Sequence, residues 1–458
     1  CFPSQANAGL ITQPCLSHNR QRRSSFRTKD FKGTTVQLAG LILICAACPV
    51  ITAMAGSLET VLLTHVASLL AASVLNRERR GQQARTEDAN QSRFDGILAH
   101  LTSRQTTDIF SFVCVATGMA LLGTLGGSSS LESIRQTLLE SYRAERLDLL
   151  VGDGSILGVA TIVFLFAGVA ASFGLFPLHS VVQNTFDSAP AGIAAITAVL
   201  QRVQAAVVLW RVVLSSMPGF ESTIQLLCIV LGVSSCLAGA VLVCRSESLR
   251  GLASNLWITW GGLALVAVAT GLSVESPTAT QTVWQLPTGL ETAAFSIVIS
   301  TVAVGMLLST ERWLSSNERA VDFAEDVTGL GHHEKLIALA VACALLTMSA
   351  IPPLPGFWCA AFIAGNAFQP GVESSSGATL VPDKSVLTAV ALVLVSLLTL
   401  SARSVHFLSL MFHHEPVRRF NISGNKVPAA VSMAVSCLLV WAGMNAGVVL
   451  TWLHQLPL

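Results

Sequence analysis

The sequence is divided into long apolar blocks, and almost all of its charged residues lie in the segments between those blocks. Each block has roughly 20 residues, the length at which a helix spans the hydrocarbon core of a bilayer. Charged residues make up 12% of the 458 residues, about half of the roughly 25% that is usual in soluble domains. The blocks are continuously apolar, whereas the strands of a membrane barrel would alternate apolar and polar residues. The sequence therefore predicts an all-α polytopic membrane protein.

The apolar blocks define about 11 transmembrane helices. They are predicted near residues 33–48, 50–76, 108–124, 155–176, 189–213, 223–244, 252–272, 289–309, 335–366, 385–411 and 427–452. The ninth span contains IPPLPGF (351–357), whose prolines cannot donate to a helical hydrogen-bond ladder. We therefore expect this span to be broken near its middle and to line a cavity rather than face lipid.

The distribution of lysine and arginine predicts the orientation of these spans. When the connecting segments are assigned alternately to the two membrane faces, the face holding the N-terminus receives 19 of the 27 basic residues and the opposite face receives 4. The remaining four lie within spans. Because basic residues concentrate in cytoplasmic loops, the N-terminus is predicted in the cytoplasm and the C-terminus outside. The same spread over many loops argues against a nucleic-acid partner.

One charge lies in the middle of an apolar span. Arg202 is near the centre of residues 189–213 and is flanked by Gln201 and Gln204. Because arginine cannot lose its proton, it must face the bundle interior or a hydrated cavity and have a partner there. A structural arginine bonded to the carbonyls of a broken helix and a functional arginine remain equally open. The candidate partners are Glu59, His65, His179, Arg403 and His406.

Three stretches place prolines, glycines and single polar residues inside the apolar blocks. They are GLFPLHSVVQNTFDSAPAGIAAITAVLQR (174–202), ESLRGLASNLWITWGGLAL (247–265) and TMSAIPPLPGFWCAAF (347–362). These stretches resemble motifs of the antiporter-like membrane subunits of respiratory complex I (type-1 NADH–quinone oxidoreductase). They look most like subunit N, the bacterial counterpart of mitochondrial subunit 2. Within the first stretch, His179 matches the histidine of the family's "P-F-H" motif.

The resemblance covers roughly residues 35–455 and implies the fold. The family has fourteen helices, and the eleven spans correspond to its last eleven, so three N-terminal helices of the family are expected to be absent. The implied organisation is a polar, flexible segment (1–32), two inverted five-helix repeats with broken helices (33–213 and 223–411) and a C-terminal transmembrane helix (427–458). The implied orientation agrees with the one that the basic residues indicate independently.

The resemblance also assigns the positions of the family's proton relay. Glu59 is the candidate for the relay glutamate, and three relay lysines fall on Ser172, Arg202 and Ala360. Arg250 takes the place of a further lysine, Trp260 that of a histidine, and His179 keeps the motif histidine. Arginine cannot titrate as a buried lysine can, so Arg202 is expected to be an electrostatic anchor or a gate.

These positions imply a membrane subunit that contributes to proton translocation coupled to electron transfer from NADH to quinone. No catalytic residue, metal or cofactor site is predicted in this chain, and NADH, flavin, iron–sulfur clusters and quinone are expected on partner subunits. The expected partners are the other membrane-arm subunits and the lipid bilayer. Two alternatives stay open: a subunit of a cation/proton antiporter or membrane-bound hydrogenase, and a non-pumping structural subunit. A bacterial plasma membrane is the expected location, with an organelle inner membrane or thylakoid as alternatives.

Overall fold

The computed structural model of the chain is built from helices. It describes residues 31–83, 104–143, 153–188, 191–272, 288–315, 327–368, 384–413 and 427–454. No strand occurs in these ranges, where the one β contact is an isolated bridge between Ser57 and Ser130. The all-α fold class is therefore confirmed.

The helices follow the predicted order of spans. The first seven are α1 (Phe31–Met54), α2 (Leu58–Gln83), α3 (Arg104–Gly126), α4 (Leu131–Arg143), α5 (Asp153–Phe173), α6 (Ser180–Ser188) and α7 (Ala191–Val208). The remaining eight are α8 (Glu221–Arg245), α9 (Leu249–Leu272), α10 (Gly289–Ser315), α11 (Lys335–Met348), α12 (Pro355–Phe368), α13 (Lys384–His413), α14 (Val427–Met444) and α15 (Ala446–His454). One further helical turn, Leu330–His333, precedes α11. A π-helical segment, Leu209–Leu214, continues α7.

Eight helical segments among the described residues are long and apolar enough to cross a membrane, and α1, α11 and α14 supply three shorter apolar segments. Together they correspond to the eleven predicted spans. The long loop at residues 125–154 contains the short helix α4, which packs buried Leu131, Ile134 and Leu138 against the bundle. The division into two inverted repeats stays a prediction.

Two spans are interrupted. In the ninth, α11 ends at Met348 and α12 begins at Pro355, so the chain leaves the helix over the predicted proline segment. In the fourth, which was predicted to run to residue 176, α5 ends at Phe173 and the short helix α6 begins only at Ser180. The break in the fourth span comes first along the chain and is called the first break; the break in the ninth span is the second break. Gly174 has a φ of 70° at the first break, a left-handed conformation that favours glycine over residues with a side chain.

Helix α9 is the centre of the bundle. Every residue from Leu252 to Thr270 is buried, without a polar face or a lipid-facing stripe. A helix that is apolar on all sides packs against protein all round, and α9 lies against α8, α10, α6, α12 and α13. Its contacts with α6 and α12 place it between the two interrupted spans.

The second break depends on a close approach of backbones, which generates a prediction. A Cβ atom at Gly356 would clash with the carbonyl oxygen of Thr347 and lie 3.2 Å from the Trp260 ring, whereas one at Gly305 in α10 would meet nothing within 4 Å. We expect Gly356→Ala to lower the free energy of unfolding by about 1–3 kcal/mol, because a backbone atom cannot move aside. Gly305→Ala, the control, is expected to raise it by about 0.4–1 kcal/mol. Thermal unfolding in detergent measures both; equal melting temperatures would contradict the described packing.

Candidate functional site

Arg202 lies inside the bundle, as predicted. Its side chain is fully buried in α7. The Nη2 atom donates to the carbonyl oxygen of Trp257 at 2.6 Å and to that of Phe173 at 3.4 Å. The guanidinium carbon is 3.6 Å from the centroid of the Trp257 ring and 5.7 Å from that of the Phe173 ring. The partners of this cation are therefore backbone carbonyls and aromatic faces, which attract a cation through their quadrupoles.

The position of the Phe173 carbonyl explains why it can accept a hydrogen bond from a charged group. Phe173 is the last residue of α5, and the carbonyls at a helix C-terminus have no partner within the helix and carry partial negative charge. The break after α5 thus supplies an acceptor at the level of Arg202. No carboxylate forms a salt bridge with Arg202 within the described part of the chain, and the expected pairing with Glu59, Arg403 or the histidines is absent there.

Helix α9 contacts both breaks through residues one turn apart. Trp257 accepts the hydrogen bond from Arg202 beside the first break, and Trp260 donates its Nε1 proton to the carbonyl oxygen of Met348 at 2.9 Å, where α11 ends at the second break. Gly261 allows the guanidinium to approach, since a Cβ there would lie 2.8 Å from Nη2 of Arg202. Trp260 therefore satisfies a helix-end carbonyl at the position where the resemblance placed a histidine.

A second polar group connects α2, α3 and α5. Nε2 of His65 lies 3.3 Å from Oγ of Ser111, and the two hydroxyl oxygens of Ser111 and Ser172 are 2.8 Å apart. Oγ of Ser111 also lies 2.8 Å from the carbonyl oxygen of Gly168, to which it can donate. Ser172, a predicted relay position, thus lies in a chain of hydrogen-bonding groups, which we call the His65–Ser111–Ser172 chain. A hydroxyl can donate one proton and accept another, so such a chain can pass a proton along.

Several other buried polar atoms in this half of the bundle have no protein partner among the described residues. They are Nδ1 of His65, Oγ of Ser68, Nε2 of Gln201, Nε and Nη1 of Arg202, and Oε1 of Gln204. Buried polar groups of this kind are usually satisfied by internal water.

A cavity of about 10 Å³ lies between Ser172, Thr185, Gln201 and Trp257. This is room for about one water molecule. Trp257 forms one wall of this cavity, and the guanidinium of Arg202 stacks on the ring of the same residue. The unpartnered atoms and the cavity together support a hydrated interior beside Arg202.

Glu59 does not take the predicted place. Its side chain is exposed in the first turn of α2, because that helix begins only at Leu58. Glu59, the candidate relay glutamate, therefore lies outside the buried interior. His65 lies six residues later, about two turns deeper at 3.6 residues per turn, and it occupies the contact with the Ser111 and Ser172 side chains. The burial of His65, 1% exposed, could have been anticipated from its position in the middle of the span.

The other predicted positions are separated. His179 lies in the loop between α5 and α6, where Nδ1 is 3.1 Å from the carbonyl oxygen of Pro177 and the ring stacks on Phe176. Ala360 is buried in α12, where its methyl group offers no proton-carrying atom. Two residues of the first motif, 189 and 190, lie outside the described residues. In α13, Arg403 donates to the carbonyl oxygen of Ser246.

Arg250 lies in a separate polar cluster at the other end of α9. Its Nε is 3.2 Å from Oε2 of Glu311, and its Nη1 donates to the carbonyl oxygens of Phe186 and Asp187. Glu311 was not among the predicted site residues, because the eighth span was expected to end at residue 309. The helix continues to Ser315 and carries Glu311 into the bundle, where it is 3% exposed.

The sequence profile of a family described as "NADH:quinone oxidoreductase/Mrp antiporter, TM" matches residues 105–381, more than half of the chain. The chain therefore belongs to this family of membrane subunits. NADH-quinone oxidoreductase subunit N of Parvibaculum lavamentivorans is 24% identical over 225 residues, which are 49% of this chain and 44% of that protein. The chain spans about half the length of the curated relatives it matches.

Solved structures share the fold. A chain of respiratory complex I from Thermus thermophilus superposes with a TM-score of 0.63 at 19% identity, covering 91% of this chain and 79% of that one. A chain of the Mrp complex from Dietzia sp. superposes with a TM-score of 0.62 at 14% identity, covering 91% and 80%. The predicted fold and the family resemblance are confirmed.

The His65–Ser111–Ser172 chain generates a prediction about stability. Ser111→Ala leaves the buried imidazole without this partner, so we expect the free energy of unfolding to fall by about 1–3 kcal/mol. Ser73→Ala is the control, because Ser73 bonds only to the carbonyl of Leu70 in its own helix, and it should change the value by less than about 0.5 kcal/mol. The measurement is thermal unfolding in detergent, and an unaffected Ser111→Ala protein would refute the described contact.

Proposed function

We propose that this chain is an integral membrane subunit of a proton-translocating NADH–quinone oxidoreductase, contributing to proton translocation that is coupled to electron transfer from NADH to quinone. The observation that carries the proposal is the buried environment of Arg202, formed by two backbone carbonyls and two aromatic rings. A permanent cation is held in the middle of the bundle by the end of one broken span and by the helix that also holds the other broken span.

The first step of the argument concerns charge. A guanidinium at membrane depth is costly to bury, and membrane-embedded charges usually mark an ion or substrate path. Because Arg202 keeps its proton at any useful pH, it cannot carry protons itself. Its role in the proposal is a fixed positive potential that orients water and hydroxyl groups in the hydrated interior and sets the energy of a proton that passes nearby.

The second step concerns the groups that could carry protons. The His65–Ser111–Ser172 chain contains an imidazole and two hydroxyls in contact, and the cavity beside Ser172 extends it towards Gln201, next to Arg202 in sequence. In this proposal the chain replaces a relay of buried glutamate and lysine side chains. His65 contributes the imidazole, whose two ring nitrogens can accept and donate a proton.

The proposal also assigns partners, cofactors and location. The chain lies in the membrane, and its partners are the other membrane-arm subunits of the complex. NADH, flavin, iron–sulfur clusters and quinone belong to partner subunits, and this chain contributes no cofactor site. The relatives that support a bacterial plasma membrane are named as subunits of bacterial NADH-quinone oxidoreductases.

A second candidate is a non-pumping structural subunit of the membrane arm. Two observations favour it: Ser172 and Ala360 stand where relay lysines are expected, and the buried methyl side chain of Ala360 is not titratable. A subunit of a cation/proton antiporter is a third candidate, favoured by the shared fold with the Mrp complex chain.

The deciding experiment measures NADH-driven proton uptake and NADH oxidation in membranes that carry Arg202→Met in the assembled complex. Methionine keeps most of the volume and removes the charge, and replacing a buried charge by an apolar side chain of similar size is often neutral for stability. We expect the complex to assemble and the proton-to-electron ratio to fall measurably, because the loss of a unit charge about 10 Å away alters proton affinity by about one pKa unit.

Arg245→Met is the matched control, because Arg245 is exposed in the last turn of α8. It should leave the ratio unchanged. An unchanged ratio in the assembled Arg202→Met complex would reject the pumping role and favour the structural subunit. Proton uptake that follows a sodium gradient without NADH would favour the antiporter.

A further inference from the structure

The cytoplasmic end of the broken fourth span is closed by the short helix α6. This helix contributes Val181, Val182 and Thr185 to the wall of the cavity beside Ser172. By the predicted orientation, α6 lies on the cytoplasmic side of the fourth span, between the cytoplasm and the polar interior. The break before α6 includes Gly174 in a left-handed conformation. Helix α6 is therefore a separate helix and not a continuation of α5.

Three side-chain contacts join α6 to α9, and α6 also lies against α7 and α3. Nε2 of Gln183 donates to Oδ1 of Asn255 at 2.7 Å. The ring of Phe186 packs against that of Trp257 with centroids 6.5 Å apart. The third contact is the pair of hydrogen bonds from Nη1 of Arg250 to the last-turn carbonyls of α6, at 3.2 Å to Phe186 and 3.3 Å to Asp187.

The Arg250 contact is the electrostatic one. A cation at a helix C-terminus interacts favourably with the helix dipole and satisfies carbonyls that have no helical partner. The opposite side of the guanidinium is held by Glu311, whose carboxylate is buried in α10 at 3.2 Å from Nε. Arg250 therefore joins α6, α9 and α10 at one point, and its planar fork suits a site with several acceptors.

We propose that Arg250, positioned by Glu311, is a latch that keeps α6 over the cavity and so controls access from the cytoplasm to the polar interior at Ser172. The latch residues are positioning residues, because they touch helix carbonyls and not the path itself. The inference rests on the proposed function in treating the interior as a proton path, but access can be measured without any proton flux.

Access is measured with a reporter cysteine at Ala198, which lines the cavity on α7. A membrane-impermeant maleimide is added to inverted membrane vesicles that contain the assembled complex, and each cysteine is followed by peptide mass spectrometry. Two native cysteines serve as references: Cys244 is exposed at the end of α8, and Cys236 is fully buried.

We expect Arg250→Gln to raise the labelling rate of Ala198→Cys by about tenfold or more, since labelling of a transiently opened site follows the population of the open form. Glu311→Gln should raise it less, because Arg250 keeps both carbonyl contacts. Lys335→Gln is the control for loss of an exposed positive charge at the same predicted end of the bundle, and it should leave the rate within about twofold.

A charge exchange separates the latch from a simple ion pair. In the double variant Arg250→Glu with Glu311→Arg the ion pair can form again, but a carboxylate now faces the carbonyl oxygens of α6. The latch predicts that labelling stays fast. A return to the parental rate would overturn the proposal, as would parental labelling in Arg250→Gln.

Labelling of Cys236 reports unfolding of the bundle. If Arg250→Gln exposes Cys236, the deciding variant is Arg250→Lys, whose single ammonium cannot bond Glu311 and two carbonyls together. A several-fold faster reaction at Ala198→Cys with unreactive Cys236 then supports the latch, and a parental rate rejects it. Loss of proton uptake with unchanged labelling would concern the proposed function alone.

Discussion

The burial of one permanent charge governs the architecture of this bundle. Arg202 is fully buried and cannot be neutralised by losing its proton, so the surrounding backbone must supply acceptors. The nearer acceptor is the carbonyl of Trp257 within α9, and the second is the carbonyl of Phe173, which has no partner within its own helix because α5 ends there. The break after Phe173 therefore supplies one of the two acceptors of the charge. The aromatic faces of Trp257 and Phe173 stabilise the guanidinium further without introducing a second charge.

The buried helix α9 transmits this arrangement through the molecule. Its first residues hold α6 through Arg250 and Asn255, its middle holds Arg202 through Trp257, and one turn later Trp260 holds the end of α11. The Trp257 ring contacts both Arg202 and Phe186, so it connects α6 to the surroundings of the buried cation. A single rigid element that contacts both interruptions gives a physical route for coupling them, and the route here consists of hydrogen bonds to helix ends.

The sequence predicted the helices and the interior position of Arg202, because hydropathy over 20 residues and the cost of a buried charge are local properties. It placed the polar interior residue of α2 at Glu59, whereas His65 is the buried one. Choosing between them depends on where the helix begins, and a shift of about two turns exchanges a membrane centre for a helix end. Glu311 was not predicted for a similar reason, because α10 extends beyond the predicted end of its span. The sequence alone could not identify the groups that accept hydrogen bonds from Arg202, because they are backbone carbonyls, which any residue type provides.

The fixed charge also limits what the interior can conduct. At 10 Å and an effective dielectric constant of about 20, two unit charges repel by about 1.7 kcal/mol. A cation that stays in the cavity beside Ser172 would bear this repulsive penalty, and it would also be attracted by the side chain of Asp108, which lines the same cavity. A proton that only passes along hydroxyls and water bears the penalty briefly. Under the proposed function, an arginine where the resemblance implies a lysine favours transient occupancy of the interior over storage of a proton at the centre. Control of occupancy would then lie at the end of the proposed path, beside α6 and the Arg250–Glu311 pair.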